Sequence, residues 1–212
     1  MENTHLIIEL NDDINWRHSN LTSIKTMYAR YNFTERDREI LIFSHVPIIY
    51  SLWEGFVKKT FNLLSVYINS QNSSFNDLHI NILTHAIDCK IQLSNARSTI
   101  DKKIQQVMTL KDFISSTIVL EQKIPTESNV NYRVTNKILE IFNYKKLDEE
   151  FKKPLDRLLK FRNAIAHGEN SILVSSEDIN QFCDLVRDLM NIILDHMKLY
   201  IDDKLYLERQ VI

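Results

Sequence analysis

Glycine and proline are scarce in this chain, with 2 Gly and 3 Pro in 212 residues. Sandwiches, barrels and doubly wound sheets need these residues at many turns, whereas long helices need few of them. The scarcity therefore argues against the sheet-rich architectures and favours an all-α fold. Hydrophobic residues make up 44% and charged residues 25% of the chain, which is typical of a globular protein with a buried core. Because no repeat or linker is visible, we expect one helical domain over 1–212.

Cysteine is equally rare, since Cys89 and Cys183 are the only two in the sequence. They lie far apart and form no CxxC pattern, so we expect reduced thiols packed among apolar residues. The N-terminus MENTHLIIEL has neither the basic start nor the cleavage site of a signal peptide. No apolar run approaches the roughly 18 residues that a membrane span requires. The expected location is the cytoplasm, without a membrane partner.

Positive charge is not in excess, because the formal net charge at pH 7 is −2. This balance excludes a uniformly basic nucleic-acid-binding surface but not a local patch. Residues 145–162 carry seven bases and four acids, including Lys152 and Arg157. The run is compatible with contact to a polyanion, and equally with a solvated helix face.

Apolar residues at helical spacing predict an N-terminal helix over about 12–30 and core helices between about 35 and 207. Asn11–Asp13 offers an N-cap for the first helix, and Thr34 offers one for the second. Pro47 falls inside the second helix and is expected to kink it or split it in two.

Further helices are predicted along the rest of the chain. One is expected over about 77–99, whereas 100–120 is amphipathic and is compatible with helix or strand. Pro154 is well placed as the first residue of a helix that Gly168 ends, and Ser175 is positioned to cap the last helix.

Three long apolar stripes predict which helices form the core. We expect the helices around Leu41–Tyr67, Leu155–Ala166 and Ile179–Tyr200 to pack together. Gly55 lies in the first of these, where glycine costs about 1 kcal/mol relative to alanine. Its presence indicates a close approach by a neighbouring element.

Several kinds of site are absent from the sequence. The two glycines cannot form a glycine-rich phosphate loop. No Cys or His pattern has zinc spacing, and His79 and His85 are six apart, a poor match to one helix face. No metal or other cofactor is therefore expected.

The pattern that carries chemistry is RNAIAHG, from Arg162 to Gly168. Arg offers a permanently charged, planar donor fork for phosphate oxygens. His exchanges a proton near neutral pH, and the amide of Asn163 can hold a phosphate or the imidazole. RNA carries its own nucleophile, the 2′-hydroxyl, so these groups suit phosphodiester cleavage without a metal. On spacing alone, a surface Arg and a His167 that binds helix-terminal carbonyls explain the pattern better.

Two segments resemble a known superfamily. Phe161–Gly168, FRNAIAHG, resembles the R-x4-6-H motif of the HEPN superfamily, including the polar residue that follows the Arg. Ile48–Lys58, IIYSLWEGFVK, is similar to the Y-x-x-W-E-G-F helix of one HEPN-like nuclease subgroup, which lies roughly a hundred residues before the motif. Here Trp53 and Arg162 are 109 positions apart. Asn129–Phe142 looks like the short helix that this subgroup places before its motif helix.

The resemblance implies a helical, dimeric, metal-independent endoribonuclease that uses no cofactor and acts on RNA as the toxin of a toxin–antitoxin or phage-defence locus. Arg162 and His167 match the catalytic pair of the superfamily, and Asn163 matches the adjacent polar residue. Glu54, within the WEGF segment, is a fourth candidate. Packing of its aromatic neighbours beside an exposed acid explains that segment equally well.

Assembly and activity remain open at this point. In a regular helix, Arg162 and His167 point about 140° apart, so one unbroken helix does not aim both at one phosphate. Either the last turn is distorted or a second copy, or a related HEPN chain, faces the first. A non-catalytic HEPN-like module, serving as antitoxin or scaffold, is the alternative function, and a helical adaptor with a fortuitous motif is a third. A cognate antitoxin is a possible partner of the enzyme.

Overall fold

The computed structural model describes residues 2–91, 99–127, 129–169 and 172–208, and this part of the chain is all-α. Its elements, in chain order, are α1 (Asn3–Arg30), α2 (Glu35–Ser70), α3 (Ile80–Ile91), α4 (Ile100–Ser115), α5 (Tyr132–Ile141), a 3-10 turn (Glu149–Phe151), α6 (Lys152–Ala166) and α7 (Ser176–Asp202). The described ranges contain no β-strand, only an isolated antiparallel bridge between Leu78 and Leu207. The predicted fold class is confirmed.

The central element is α2, which packs against α1, α6 and α7. The expected packing of α2 with α6 and α7 is confirmed, and α1 completes the core. Largest among the fully buried side chains is Trp53, followed by Tyr50 and Tyr67, all on α2. The core is therefore built around the helix that also carries the WEGF segment.

The N-terminal helix begins at Asn3, so the predicted start near residue 12 is wrong. Leu6 and Leu10 are fully buried and extend the apolar face by two turns upstream of Ile14. Asp13 does not cap a helix; its carboxylate pairs with Arg17 at 2.6 Å, one turn away. The apolar stripe from Leu6 onward therefore determines where the helix begins, and the polar residues Asn11–Asp13 do not.

Pro47 does not split α2, which runs unbroken from Glu35 to Ser70. Thr34 caps its start as predicted, since its hydroxyl accepts the Asp37 backbone N–H at 3.2 Å. Proline removes one backbone hydrogen bond from a helix interior. Val46 and Ile49, buried on either side of it, keep both halves of the helix in the core.

Among the described residues, α2 is also the one helix long and apolar enough to pass a test for a membrane span. This departs from the expectation that no segment qualifies. Half of its most apolar window is buried inside the protein, and core helices of soluble proteins pass the same test. The finding is weak evidence for a membrane.

In the second half of the chain, the helices lie closer to their predicted bounds. α3 begins at Ile80, three residues later than predicted, because Asp77 accepts the Ser74 N–H in a turn at 2.8 Å. The end of the predicted 77–99 helix falls at 92–98, outside the described residues. Residues 100–115 are helical, whereas 116–120, for which helix or strand was open, are neither.

The caps of the last two helices agree with the sequence in all but one detail. α6 begins at Lys152, so Pro154 is its third residue rather than its first. All of the first four N–H groups lack helical partners, which is why proline is tolerated there. Ser175 and Asp178 form a reciprocal capping box on α7, as predicted. Neither cysteine is in a disulfide, and Cys183 is buried whereas Cys89 is half-buried.

Candidate active site

The RNAIAHG segment forms the last turn and a half of α6 and the stop that follows it. Gly168 adopts a left-handed φ of +71°, which a residue with a side chain rarely tolerates. The chain then turns back, and the Glu169 N–H reaches the Ala164 carbonyl at 2.9 Å. This closure satisfies carbonyls that a helix end leaves unpaired. The helix therefore ends at Ala166, inside the motif, next to the stop that the sequence predicted at Gly168.

Arg162 is held between two helices in a half-buried position. Its guanidinium carbon lies 4.4 Å from the ring centroid of Tyr50 on α2, a cation–π contact. One terminal nitrogen, Nη1, donates to Asn163 Oδ1 at 2.7 Å. The other, Nη2, lies 3.6 Å from Glu54 Oε2, and both side chains are about a quarter exposed (25% and 27%). We call Arg162, Asn163, Tyr50 and Glu54 the Arg162 cluster.

Tyr50 and Glu54 are one helical turn apart on α2, which places them on the same face. The Tyr50 hydroxyl accepts the Val130 backbone N–H at 2.6 Å. Burial, followed by the nearby Glu54 charge, raises the pKa of Tyr50 to about 12. The phenol is therefore neutral near pH 7.

Trp53 fixes the same backbone segment from the next position on α2. Its indole N–H donates to the Val130 carbonyl at 2.9 Å, so both polar backbone groups of Val130 are held by α2. Val130 is fully buried and directly precedes Asn131, the N-cap of α5. The Tyr and Trp of Y-x-x-W therefore hold the backbone just before α5 against α2.

The glycine of the WEGF segment, Gly55, leaves room for a side chain from α1. A Cβ at this position would lie 3.1 Å from Arg17 Nη1, closer than most real contacts. Arg17 enters from α1, donates to the Leu52 carbonyl at 2.7 Å and pairs with Asp13. The predicted close approach is confirmed, and it brings a buried ion pair against α2 behind the cluster.

His167 occupies a different environment from Arg162. It is the C-cap of α6, its side chain is exposed, and its backbone N–H donates to the Asn163 carbonyl at 2.9 Å. α6 is regular through Ala166, so the five-residue offset turns His167 about 140° around the axis from Arg162. The distorted last turn considered from the sequence is therefore not present up to Ala166.

Part of the basic run is engaged in ion pairs. Arg157 pairs with Asp178 of α7 and stacks on Phe161 at 4.9 Å. Lys146 lies 3.2 Å from Glu140. Lys152 lines an open groove of about 740 Å³ at the start of α5. Only part of the predicted local positive charge is therefore available to a polyanion.

The structure brings Arg162, Asn163 and Glu54 together and leaves His167 exposed at the helix end. Tyr50 is the member of the cluster that sequence reasoning missed. A Tyr four positions before the candidate acid on a predicted helix was the available signal, because that spacing places both on one face. Packing was one of the two interpretations of the WEGF segment, and Trp53 is fully buried and also donates to the Val130 carbonyl.

The fold and the cluster together define a helical domain with a phosphate-compatible Arg at the end of one helix and an exposed His after it. The family model described as MAE_28990-like HEPN matches residues 7–206, and the chain belongs to this HEPN family. HEPN proteins are often ribonucleases, and the family suggests a nuclease or RNA-related role. No curated protein and no solved structure matches the chain.

Proposed function

We propose that this protein is a metal-independent endoribonuclease, acting as the toxin of a toxin–antitoxin or phage-defence system. The observation that carries the proposal is the arrangement of Arg162. Its charged fork lies against the Tyr50 ring with one nitrogen bound to Asn163, and about a quarter of the side chain stays exposed. A fork held in one plane and open to solvent is suited to a phosphodiester.

The proposed chemistry uses the RNA's own nucleophile. The 2′-oxygen attacks the adjacent phosphorus, and negative charge grows on the non-bridging oxygens as the bond to the 5′-oxygen breaks. Arg162 stabilises that charge, and Asn163 holds the guanidinium in place. His167, as imidazolium, gives a proton to the departing 5′-oxygen. The products are a 2′,3′-cyclic phosphate and a 5′-hydroxyl.

The active form in this proposal is a homodimer, or a heterodimer with a related HEPN chain. Arg162 faces α2 whereas His167 is turned about 140° away, so one chain does not direct both at one phosphate. A two-fold interface beside Arg162–Gly168 places the Arg of one protomer opposite the His of the other. Exposure of His167 supports this arrangement, because a partner can reach it.

The test is cleavage of total RNA by the purified protein in excess EDTA, with end-group analysis of the products. We expect cleavage to persist and to leave cyclic phosphate ends. Arg162→Ala and His167→Ala should each lose about 10²–10³ in rate, as is typical for a lost transition-state contact. Activity that disappears with EDTA and returns with Mg²⁺ would contradict the mechanism.

The second candidate is a non-catalytic interaction module, an antitoxin or scaffold. The exposed apolar face of α4 favours it, because large side chains recur there at helical spacing: Ile100, Ile104, Val107, Met108 and Ile114. Unpartnered faces of this kind often mark protein–protein contacts. Wild-type protein that leaves RNA intact under all conditions, while binding a partner chain through this face, would favour this candidate.

A further inference from the structure

Cleavage by 2′-oxygen attack requires two proton transfers, and the RNAIAHG segment provides a group for only one. The 2′-hydroxyl must lose a proton and the 5′-oxygen must gain one. An Arg side chain does not release its proton in proteins, and an Asn amide does not titrate. If His167 donates to the 5′-oxygen, the acceptor for the 2′-hydroxyl proton lies outside the segment.

Glu54 has the position that such an acceptor needs. Its carboxylate oxygen Oε2 lies 3.6 Å from Arg162 Nη2, so a phosphate bound to Arg162 would be next to it. In RNA the 2′-hydroxyl that attacks is directly beside that phosphate. The Glu54 side chain is 27% exposed, which leaves it open to the substrate. It is anchored on α2, whose buried residues include Tyr50, Trp53 and Phe56.

The charged and titratable groups around Glu54 come from three helices. Arg162 faces it from α6, and Tyr50 lies one turn earlier on the same face of α2. Arg17 reaches Gly55 from α1, with its charge paired to Asp13. Since burial raises the pKa of the Tyr50 phenol to about 12, that phenol is not ionised near neutral pH. Tyr50 therefore does not itself accept the proton.

We propose that Glu54 is the general base of the ribonuclease reaction, paired with His167 as the general acid. The carboxylate of Glu54 takes the proton of the 2′-hydroxyl as the 2′-oxygen bonds to phosphorus. The bond between phosphorus and the 5′-oxygen breaks, and the imidazolium of His167 protonates that oxygen. The cycle leaves Glu54 protonated and His167 neutral, and exchange with water restores both. This assignment rests on the proposed function.

The first experiment measures the pH dependence of cleavage, with bulk tRNA as the substrate and EDTA present. Wild-type activity is expected to have a bell-shaped pH profile, because the step needs one deprotonated base and one protonated acid. Glu54→Gln keeps the size of the side chain but cannot accept a proton. We expect it to lose about 10²–10⁴ in rate, as is typical for general base catalysis, and to lose the acidic limb of the profile.

A matched control comes from another ion-paired carboxylate. Asp184 is half exposed and pairs with Lys25 at 2.7 Å, on helices α7 and α1. Asp184→Asn removes a comparable carboxylate and should keep wild-type cleavage. Thermal unfolding of both variants checks that they are folded. If Glu54→Gln cleaves as fast as wild type, or faster because a competitor of the phosphate is gone, the assignment is wrong.

The second experiment separates base from acid at a mapped cleavage site. An RNA whose 5′-oxygen at that site is replaced by sulfur has a leaving group that needs no proton. His167→Ala should recover most of its activity on this RNA, whereas Glu54→Gln should stay slow. Recovery by Glu54→Gln instead would overturn the assigned roles. Wild-type protein that cleaves neither RNA would refute the proposed function itself, so the two failures are distinguishable.

Discussion

The Tyr50 hydroxyl provides the sharpest test of how the α2 face supports the site. Tyr50→Phe keeps the ring beneath Arg162 and removes the hydrogen bond from the Val130 N–H at 2.6 Å. Val130 is fully buried, so its N–H has no access to water after the change. Leaving a buried donor without a partner costs about 1–3 kcal/mol. We expect the free energy of unfolding to fall by that amount.

The measurement is urea unfolding followed by far-ultraviolet circular dichroism, because one of the two tryptophans is itself a target. Trp53→Phe leaves the Val130 carbonyl unpaired and is the matched comparison. Both variants loosen the same residue, so their effects should be less than additive in the double variant. Tyr50→Phe should reduce cleavage less than Tyr50→Leu, which also removes the cation–π contact with Arg162. A loss in unfolding free energy below about 0.5 kcal/mol for Tyr50→Phe would refute the reasoning, since ordinary surface changes are that small.

Two predictions concern stability elsewhere. Asp178 is desolvated, which raises its pKa, but hydrogen bonds from Ser175 and the Arg157 charge outweigh this and lower it. Because the folded pKa is lower than the unfolded value near pH 4, the ionised carboxylate stabilises the fold above that pH, and the stabilisation is lost as pH falls through the folded value. The melting temperature should drop in this window, and Asp178→Asn should flatten that drop. Gly55→Ala gains about 1 kcal/mol of helix propensity but pushes against Arg17 Nη1, 3.1 Å away. Because Arg17 is fixed by Asp13 and a backbone carbonyl, we expect calorimetry to show a lower melting temperature. A rise in melting temperature would show that Arg17 moves freely.

Helix starts and ends that depend on a few neighbouring residues were mostly predicted correctly. Thr34, Ser175 and Gly168 begin or end helices where expected, because capping depends on the local chain. Asn11–Asp13 failed for the same reason, since it offers local capping that a longer apolar stripe overrides. Asp13 instead pairs with Arg17 one turn along α1 and, at 3.2 Å, with Lys59 of α2.

The sequence predicted which long helices pack together, but not which individual side chains meet between distant segments. Arg162 and Glu54 are more than a hundred positions apart, and periodicity does not say which faces of α2 and α6 meet. The resemblance suggested Glu54 as a candidate but gave no reason for Tyr50. Its role depends on the Val130 backbone, which no side-chain pattern reveals.

A site formed by Arg162 of one protomer and His167 of the other makes a prediction that needs no knowledge of the RNA target. Arg162→Ala and His167→Ala are each expected to be nearly inactive alone. If the Arg of one protomer works with the His of the other, a mixed dimer keeps one intact pair out of two. Random exchange of equal amounts makes half of the dimers mixed, so about a quarter of wild-type activity should return on mixing. A site within a single chain predicts no recovery, because each chain would still lack one of its two groups. Cleavage measured before and after brief denaturation and refolding of the mixture distinguishes these outcomes, and the Arg162→Ala protein refolded by itself is the control.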